Sequence, residues 1–435
     1  MFTAHAKRLL EFEAQSLLQR ISELRPFALT LPMVPAASPS VAAQAAIESH
    51  LSQGRRSLRV ALRRFLQWLG SPAGAQASAM DAQARFTVLR LQFLTAIDQF
   101  DLFSDALVER SQHGYGEWVG GLDVAATDAL TLPTYLLDPP PIICHLDRGA
   151  GAAIRRVRTR LPGGSENPVA LIRVPRERMI GSSVASSLVH EVGHQGAELL
   201  ELLPPLQQRL LQRASRSRVD RPAWLCYHQW ISEIVSDLWS IARVGVGSTL
   251  GLMGVVSLPR AFVFRIQSDD PHPTPWVRVK ISAAIGRAFY PDPQWEQVAA
   301  IWDEYYPLAS APPASRRLLG LVESTLREFV ALTLETPIPR LGGTPLGAIF
   351  PRADRLPARL RSLRALLRQD TRHLAVLSPT VAFAVVGQAK FDGAISSRIE
   401  SQTLSRLLRF WALRATVDAS IACADRLPRR ATAVA

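Results

Sequence analysis

The stretch His190-Glu191-Val192-Gly193-His194 constrains this chain more than any other part of it. Two imidazoles at i and i+4, with a carboxylate beside the first, form the HExxH pattern, which works chemically only on a helix, where residues four apart share a face. Both ring nitrogens then reach one Zn²⁺ ion, and Glu191 stands next to it to handle protons. The residues before the motif, Ser182 to Val189, contain no Pro or Gly and place Val184, Leu188 and Val189 at helical spacing. Beyond it, Ala197, Leu199, Leu200, Leu202 and Leu203 predict a helix that continues to Pro204-Pro205, where proline should stop it.

Two histidines do not complete a tetrahedral catalytic site, so a third protein ligand must come from elsewhere, with the fourth position left to water. A third His at the spacing HExxHxxGxxH is excluded, because Ala197 and Leu200 occupy those positions. Downstream, Trp230 to Trp239 reads as an apolar helix carrying Glu233 and Asp237, again at i and i+4. Acids among Ile231, Ile234, Val235, Leu238 and Trp239 are costly to bury unless paired, hydrogen-bonded or bound to a metal. Glu233 as third ligand, with Asp237 orienting a ligand histidine from behind, accounts for both. The competing readings are a solvated stripe on an amphipathic helix and His228 as the third ligand.

A third element follows at Asp269-Asp270-Pro271-His272-Pro273-Thr274-Pro275, where the prolines rule out helix until Arg278 to Phe289. A His held on so stiff a loop can donate a hydrogen bond to the oxyanion that develops on an attacked carbonyl. The alternative makes His272 a surface turn residue and Arg278 an ordinary ion-pair partner. Tyr227, Tyr290, Tyr305 and Tyr306 are further candidate oxyanion donors, and the sequence does not choose among them.

The order HExxH, ExxxD, then His-Pro followed by Arg resembles the gluzincin metallopeptidases, most closely the M48 type that includes the HtpX-like and CAAX prenyl proteases. The resemblance covers roughly residues 142–306. It implies that His190, His194 and Glu233 bind one Zn²⁺ per chain, that Glu191 activates the water, and that Asp237 and Arg278 support the ligands. It also implies that His272 contributes to transition-state stabilisation. Membrane-bound members of that family carry long transmembrane helices, whereas the longest apolar run here, Val244 to Leu258, is short and interrupted by Gly245, Gly247, Gly251 and Gly254. It reads as a buried, glycine-loosened core segment. Upstream, Pro141 to Cys144, Ala153 to Arg158 and Pro168 to Val174 read as short strands. Zincins commonly place a small sheet before the motif helix, and Val169 to Val174 is the expected edge strand for pairing with an extended substrate.

The expected fold class is therefore α+β and mainly helical, with a zincin-like metallopeptidase core at 141–308 between a helical N-terminal region, 1–140, and a helical C-terminal region, 309–435. In the first region Leu9, Leu10, Phe12, Leu17, Leu18 and Ile21 suggest one buried stripe, and Arg56, Arg59, Arg63 and Arg64 a basic face. In the last region, helices are expected at Arg316 to Leu334, Ala358 to Leu377 and Arg398 to Arg426, with Pro337 to Pro357 as a linker or lid. The net charge of +13 comes almost wholly from arginine, since only Lys7, Lys280 and Lys390 are lysines. No zinc finger, RNP motif or uninterrupted basic block accompanies it, so nucleic acid is not the expected partner. Three scattered cysteines with no CxxC make a disulfide framework improbable and suit a reducing cytoplasm, although export by a non-classical route stays open. Together these features lead to the expectation of a soluble, cytoplasmic zinc metalloendopeptidase acting on peptides or proteins. The alternative is a catalytically silent scaffold that keeps the metallopeptidase core.

Overall fold

The computed structural model describes residues 3–112, 114–147, 151–176, 183–267, 269–367 and 371–426. Three long helices open the chain: α1 (Ala4–Glu23), α2 (Val41–Gly70) and α3 (Ala79–Val108). Each begins at a hydroxyl cap, with Thr3, Ser40 and Ser78 accepting a hydrogen bond from the free N–H of Ala6, Ala43 and Asp81. They bury Leu10, Ala14, Leu17 and Ile21 against Leu58, Leu62, Phe65, Ala82, Phe86 and Phe93. The stripe expected on α1 is corrected here: Leu9 and Phe12 are 61% and 66% exposed, because the buried line runs through Leu10 and Ala14, about 100° round the helix from Leu9.

α4 (Tyr115–Leu130) leads into a three-stranded sheet of β1 (Ile142–Asp147), β2 (Ala153–Arg155) and β3 (Ala170–Pro175). The strand order is β1-β3-β2, with β1 parallel and β2 antiparallel to β3. The expected edge strand at Val169 to Val174 is therefore the central one. Its apolar run suits a strand covered on both faces. The outer side of β1 is also occupied, since Cys144 N–H donates to Asp123 Oδ1 at 2.7 Å and Leu146 N–H to Glu109 Oε2 at 2.8 Å. Among the described residues, no strand pairs with the outer edge of β2.

The motif helix is α5 (Ser183–Leu199). It stops before the two prolines, not at them: Glu201 turns the chain with φ +52°, and Pro204 and Pro205 sit in the first turn of α6 (Leu203–Arg216), where no backbone N–H is needed. Next come α7 (Arg221–Val244), α8 (Val246–Val256), α9 (Pro275–Phe289), α10 (Gln294–Tyr305) and α11 (Pro313–Leu334). Gly245, at φ +64°, joins α7 to α8 without a loop. α8 is buried as expected and crosses α12 (Pro379–Phe391) backbone to backbone, since a Cβ on Gly387 would lie 2.5 Å from the Gly247 Cα. No helix among the described residues is long and apolar enough to cross a membrane.

The segment expected as a linker or lid, Pro337 to Pro357, is packed. Ile338, Leu346, Ile349 and Phe350 are buried, and the Phe350 ring lies edge-on to Trp239 at 5.0 Å. Pro and Gly there break regular elements without loosening contacts. The helix expected over Ala358 to Leu377 is broken into Pro357–Leu363, a 3₁₀ turn at Arg364–Leu367, and Thr371–Ala375. The last helix, α13 (Ser397–Arg426), packs on α4, and one apolar core runs from Val119 to Trp411.

Candidate metal centre

Glycine spacing decides how the motif helix meets its partner. A Cβ on Gly193 would lie 2.8 Å from the Ser236 Cα, and one on Gly196 would lie 2.4 Å from the Trp239 ring. α5 and α7 therefore touch almost at the backbone, and their facing side chains are drawn into one place. Hydroxyls lock the pair to α8. Ser186 Oγ donates to Ser248 O at 2.9 Å, Ser248 Oγ to Ser240 Oγ at 2.7 Å, and Ser240 Oγ to Ser186 O at 3.3 Å.

On that contact stand His190, His194 and Glu233. His190 Nε2 lies 3.3 Å from Glu233 Oε2, and His194 Nε2 lies 3.3 Å from Glu233 Oε1. All three donor atoms are within 4.8 Å of one another. The fit to a small divalent ion can be tested on these distances. Ligands about 2.0–2.1 Å from a tetrahedral ion are separated from each other by about 3.3 Å, which is the distance from each imidazole to one oxygen of Glu233, the two rings facing different oxygens. Two imidazoles and a carboxylate also form a donor set suited to zinc. His228 on α7 is not part of the cluster.

Behind these three residues, Asp237 Oδ1 is 2.8 Å from His190 Nδ1, which fixes that nitrogen as the N–H and leaves Nε2 facing the centre of the cluster. Arg278, entering from α9, donates through Nε to Asp237 Oδ2 at 2.7 Å and through Nη2 to Oδ1 at 2.9 Å, and Nη2 also reaches Glu233 Oε2 at 3.4 Å. This answers the question of how two buried acids are tolerated. Burial opposes ionisation of Asp237, yet Arg278 and His190 outweigh it and hold the carboxyl at about 2. Burial likewise opposes ionisation of Glu233, which the imidazoles nevertheless pull well below the usual carboxylate range. For His190, burial pushes downward and is overcome by Asp237 and Glu233, leaving the ring at about 9. Glu191, 7% exposed, is raised by burial above its ordinary value.

The proline-rich loop brings His272 to the same spot, half-exposed, with Nε2 3.4 Å from Glu233 Oε2. Sequence reasoning missed the residue that aims it. Asp270 Oδ1 accepts from the His272 backbone N–H at 2.9 Å and from Nδ1 at 2.7 Å, while Gln229 on α7 donates to Asp270 O at 2.8 Å. The available signal was an Asp two residues before a His in a proline-rich turn. Of the tyrosines considered, Tyr227 and Tyr290 are ruled out as oxyanion donors, because both are buried and donate elsewhere, to Val322 O at 2.6 Å and Ala242 O at 2.5 Å. Tyr306 donates to Leu258 O at 3.0 Å, and Tyr305 is exposed.

A scan against protein-family models finds no match to this chain, and searches of curated proteins and of solved structures find none either.

Proposed function

We propose that this protein is a gluzincin-type zinc metalloendopeptidase with a zincin-like core, in which His190, His194 and Glu233 hold the ion. The observation that carries the reading is the meeting of the HExxH imidazoles with a carboxylate from a separate helix, at ligand-to-ligand spacing and with each acid charge answered. A zinc ion held there supplies Lewis acidity and brings the pKa of a water towards neutrality. The chain's own groups do the rest. Glu191 takes a proton from the attacking water and returns it to the leaving amine, a role suited to a carboxyl raised by burial. His272, aimed by Asp270, offers a hydrogen bond to the oxygen of the attacked carbonyl. Asp237 and Arg278 keep His190 in one tautomer and one orientation. The outer edge of β2, unpaired among the described residues and followed by Val157, whose N–H donates to Gln195 Oε1 of the motif helix at 2.8 Å, is the edge we assign to an extended peptide.

Glu191→Gln tests this reading. Zinc content should be unchanged, and zinc-dependent peptide cleavage should fall by about 10²–10⁴-fold, the usual contribution of a general base. Undiminished cleavage by that variant refutes the mechanism. Wild-type protein that binds zinc but cleaves nothing points instead to the catalytically silent scaffold.

A further inference from the structure

A cavity of about 220 Å³ opens beside the cluster, and its lining includes both His272 and Arg278. One wall is apolar, made by Val256 at the end of α8, by Leu258 and by Phe262, the last two 42% and 52% exposed. The polar lining is Arg265, Gln267, Asp270 and Thr274 together with His272 and Arg278. Most of these groups already have partners. Arg278 faces Asp237 and Glu233, and Asp270 is bound twice by His272.

Arg265 differs. Among the described residues no carboxylate lies within ion-pair distance of it; with its carboxamide turned to put the oxygen toward Arg265, Gln267 accepts from Nε and Nη2 at 2.9 and 3.1 Å. It therefore has no direct ion-pair partner among the described residues where the cavity adjoins a second, more open groove lined by Arg265, Gln267, Asp269 and Asp270. The walls are fastened, with Thr274 Oγ1 donating to Arg265 O at 3.4 Å and Tyr306 to Leu258 O at 3.0 Å. An apolar wall ending at a guanidinium that has only a neutral amide beside it matches a ligand with an apolar stem and a carboxylate tip, because the guanidinium fork pairs with carboxylate geometry.

We propose that this cavity receives the side chain of a substrate residue flanking the scissile bond, and that Arg265 makes it select a carboxylate on an apolar stem, of the glutamate type, over an ammonium. This specificity rests on the hydrolase reading above. The test compares the zinc-loaded full chain, wild type, Arg265→Glu and Arg265→Gln, on peptides carrying Glu, Gln, Leu or Lys at each position flanking the cleaved bond. At one of those positions the wild type should favour Glu over Lys by about tenfold or more in kcat/KM, Arg265→Gln should lose the preference, and Arg265→Glu should reverse it. Phe262→Ala should lower kcat/KM about tenfold for Glu and Leu peptides alike. Arg265 is exposed, so both of its variants should keep the wild-type melting curve. Cleavage without an acid preference, or with a Glu-to-Lys ratio that neither Arg265 variant changes, overturns the specificity and leaves the hydrolase standing. If the wild type cleaves no peptide in a zinc-dependent way, the hydrolase reading falls and takes this inference with it.

Discussion

At Asp237 one side chain carries two duties, turning the His190 ring through Nδ1 and neutralising Arg278. Asp237→Asn keeps the shape but removes the charge. Zinc affinity, measured by competition with a chelating dye, should fall about 10- to 100-fold, the usual effect of losing such a partner. Asp270 is predicted to act on turnover instead, because it touches His272 and none of the three ligands. In Asp270→Asn, zinc content and KM should stay near wild type while kcat drops about tenfold. An equal loss of zinc would place Asp270 among the supports of the metal. The sequence displayed the acids at 233 and 237 because an apolar helix makes a carboxylate conspicuous. It hid Asp270 because an Asp in a turn is ordinary, and only the fold shows what its carboxylate holds.

At the scale of elements, the site depends on two helices approaching more closely than ordinary side chains allow. Gly193→Ala puts a methyl group against the Ser236 backbone, which cannot move aside as a flexible side chain would. The substitution should cost about 1–3 kcal/mol in denaturant unfolding, as overpacked cores do, and should also weaken zinc binding by pushing α7 away from α5. If stability falls while zinc affinity holds, the glycine contact does not set the ligand spacing. The identity of α5, α7 and the three strands was readable from periodicity, but their arrangement was not. The apolar run at Ala170–Pro175 looked like an edge, and its true place in the centre follows from β1 and β2 pairing along its two sides. α12 is buried from Thr380 to Ala389 on all its faces, so it shows no polar stripe from which a period could be read.

For the whole molecule, stability is predicted to respond to both metal and proton. An ion that binds only the folded chain stabilises it by mass action, so chelation should lower Tm and zinc should restore it, with no response to either in His194→Ala. Outside the site, His145 on β1 is held below its ordinary value of 6.5, first by burial and then by Arg110 and Arg173, with Glu109 and Asp147 opposing. Because the folded state favours the neutral ring, its contribution is present above pH 6.5 and is lost as pH falls through the lowered folded value. Urea midpoints compared at pH 7.5 and about 5.5 should therefore drop more for wild type than for His145→Gln. An identical drop in both removes His145 as a source of acid sensitivity.

By itself the sequence determined the local chemistry: an HExxH helix, a second helix with two acids it could not bury unaided, a stiff loop bearing His272, and a largely helical chain with short strands between. These are properties of spacing and composition, legible within a dozen residues. Only the tertiary structure decided that Glu233 reaches both imidazoles, that Arg278 answers Asp237, that the Pro- and Gly-rich stretch at 337–357 is packed against Trp239, and that Arg265 meets no carboxylate among the described residues. Each of these depends on how closely separate elements approach, and that distance is set by side-chain volume and hydrogen bonding across positions far apart in the chain.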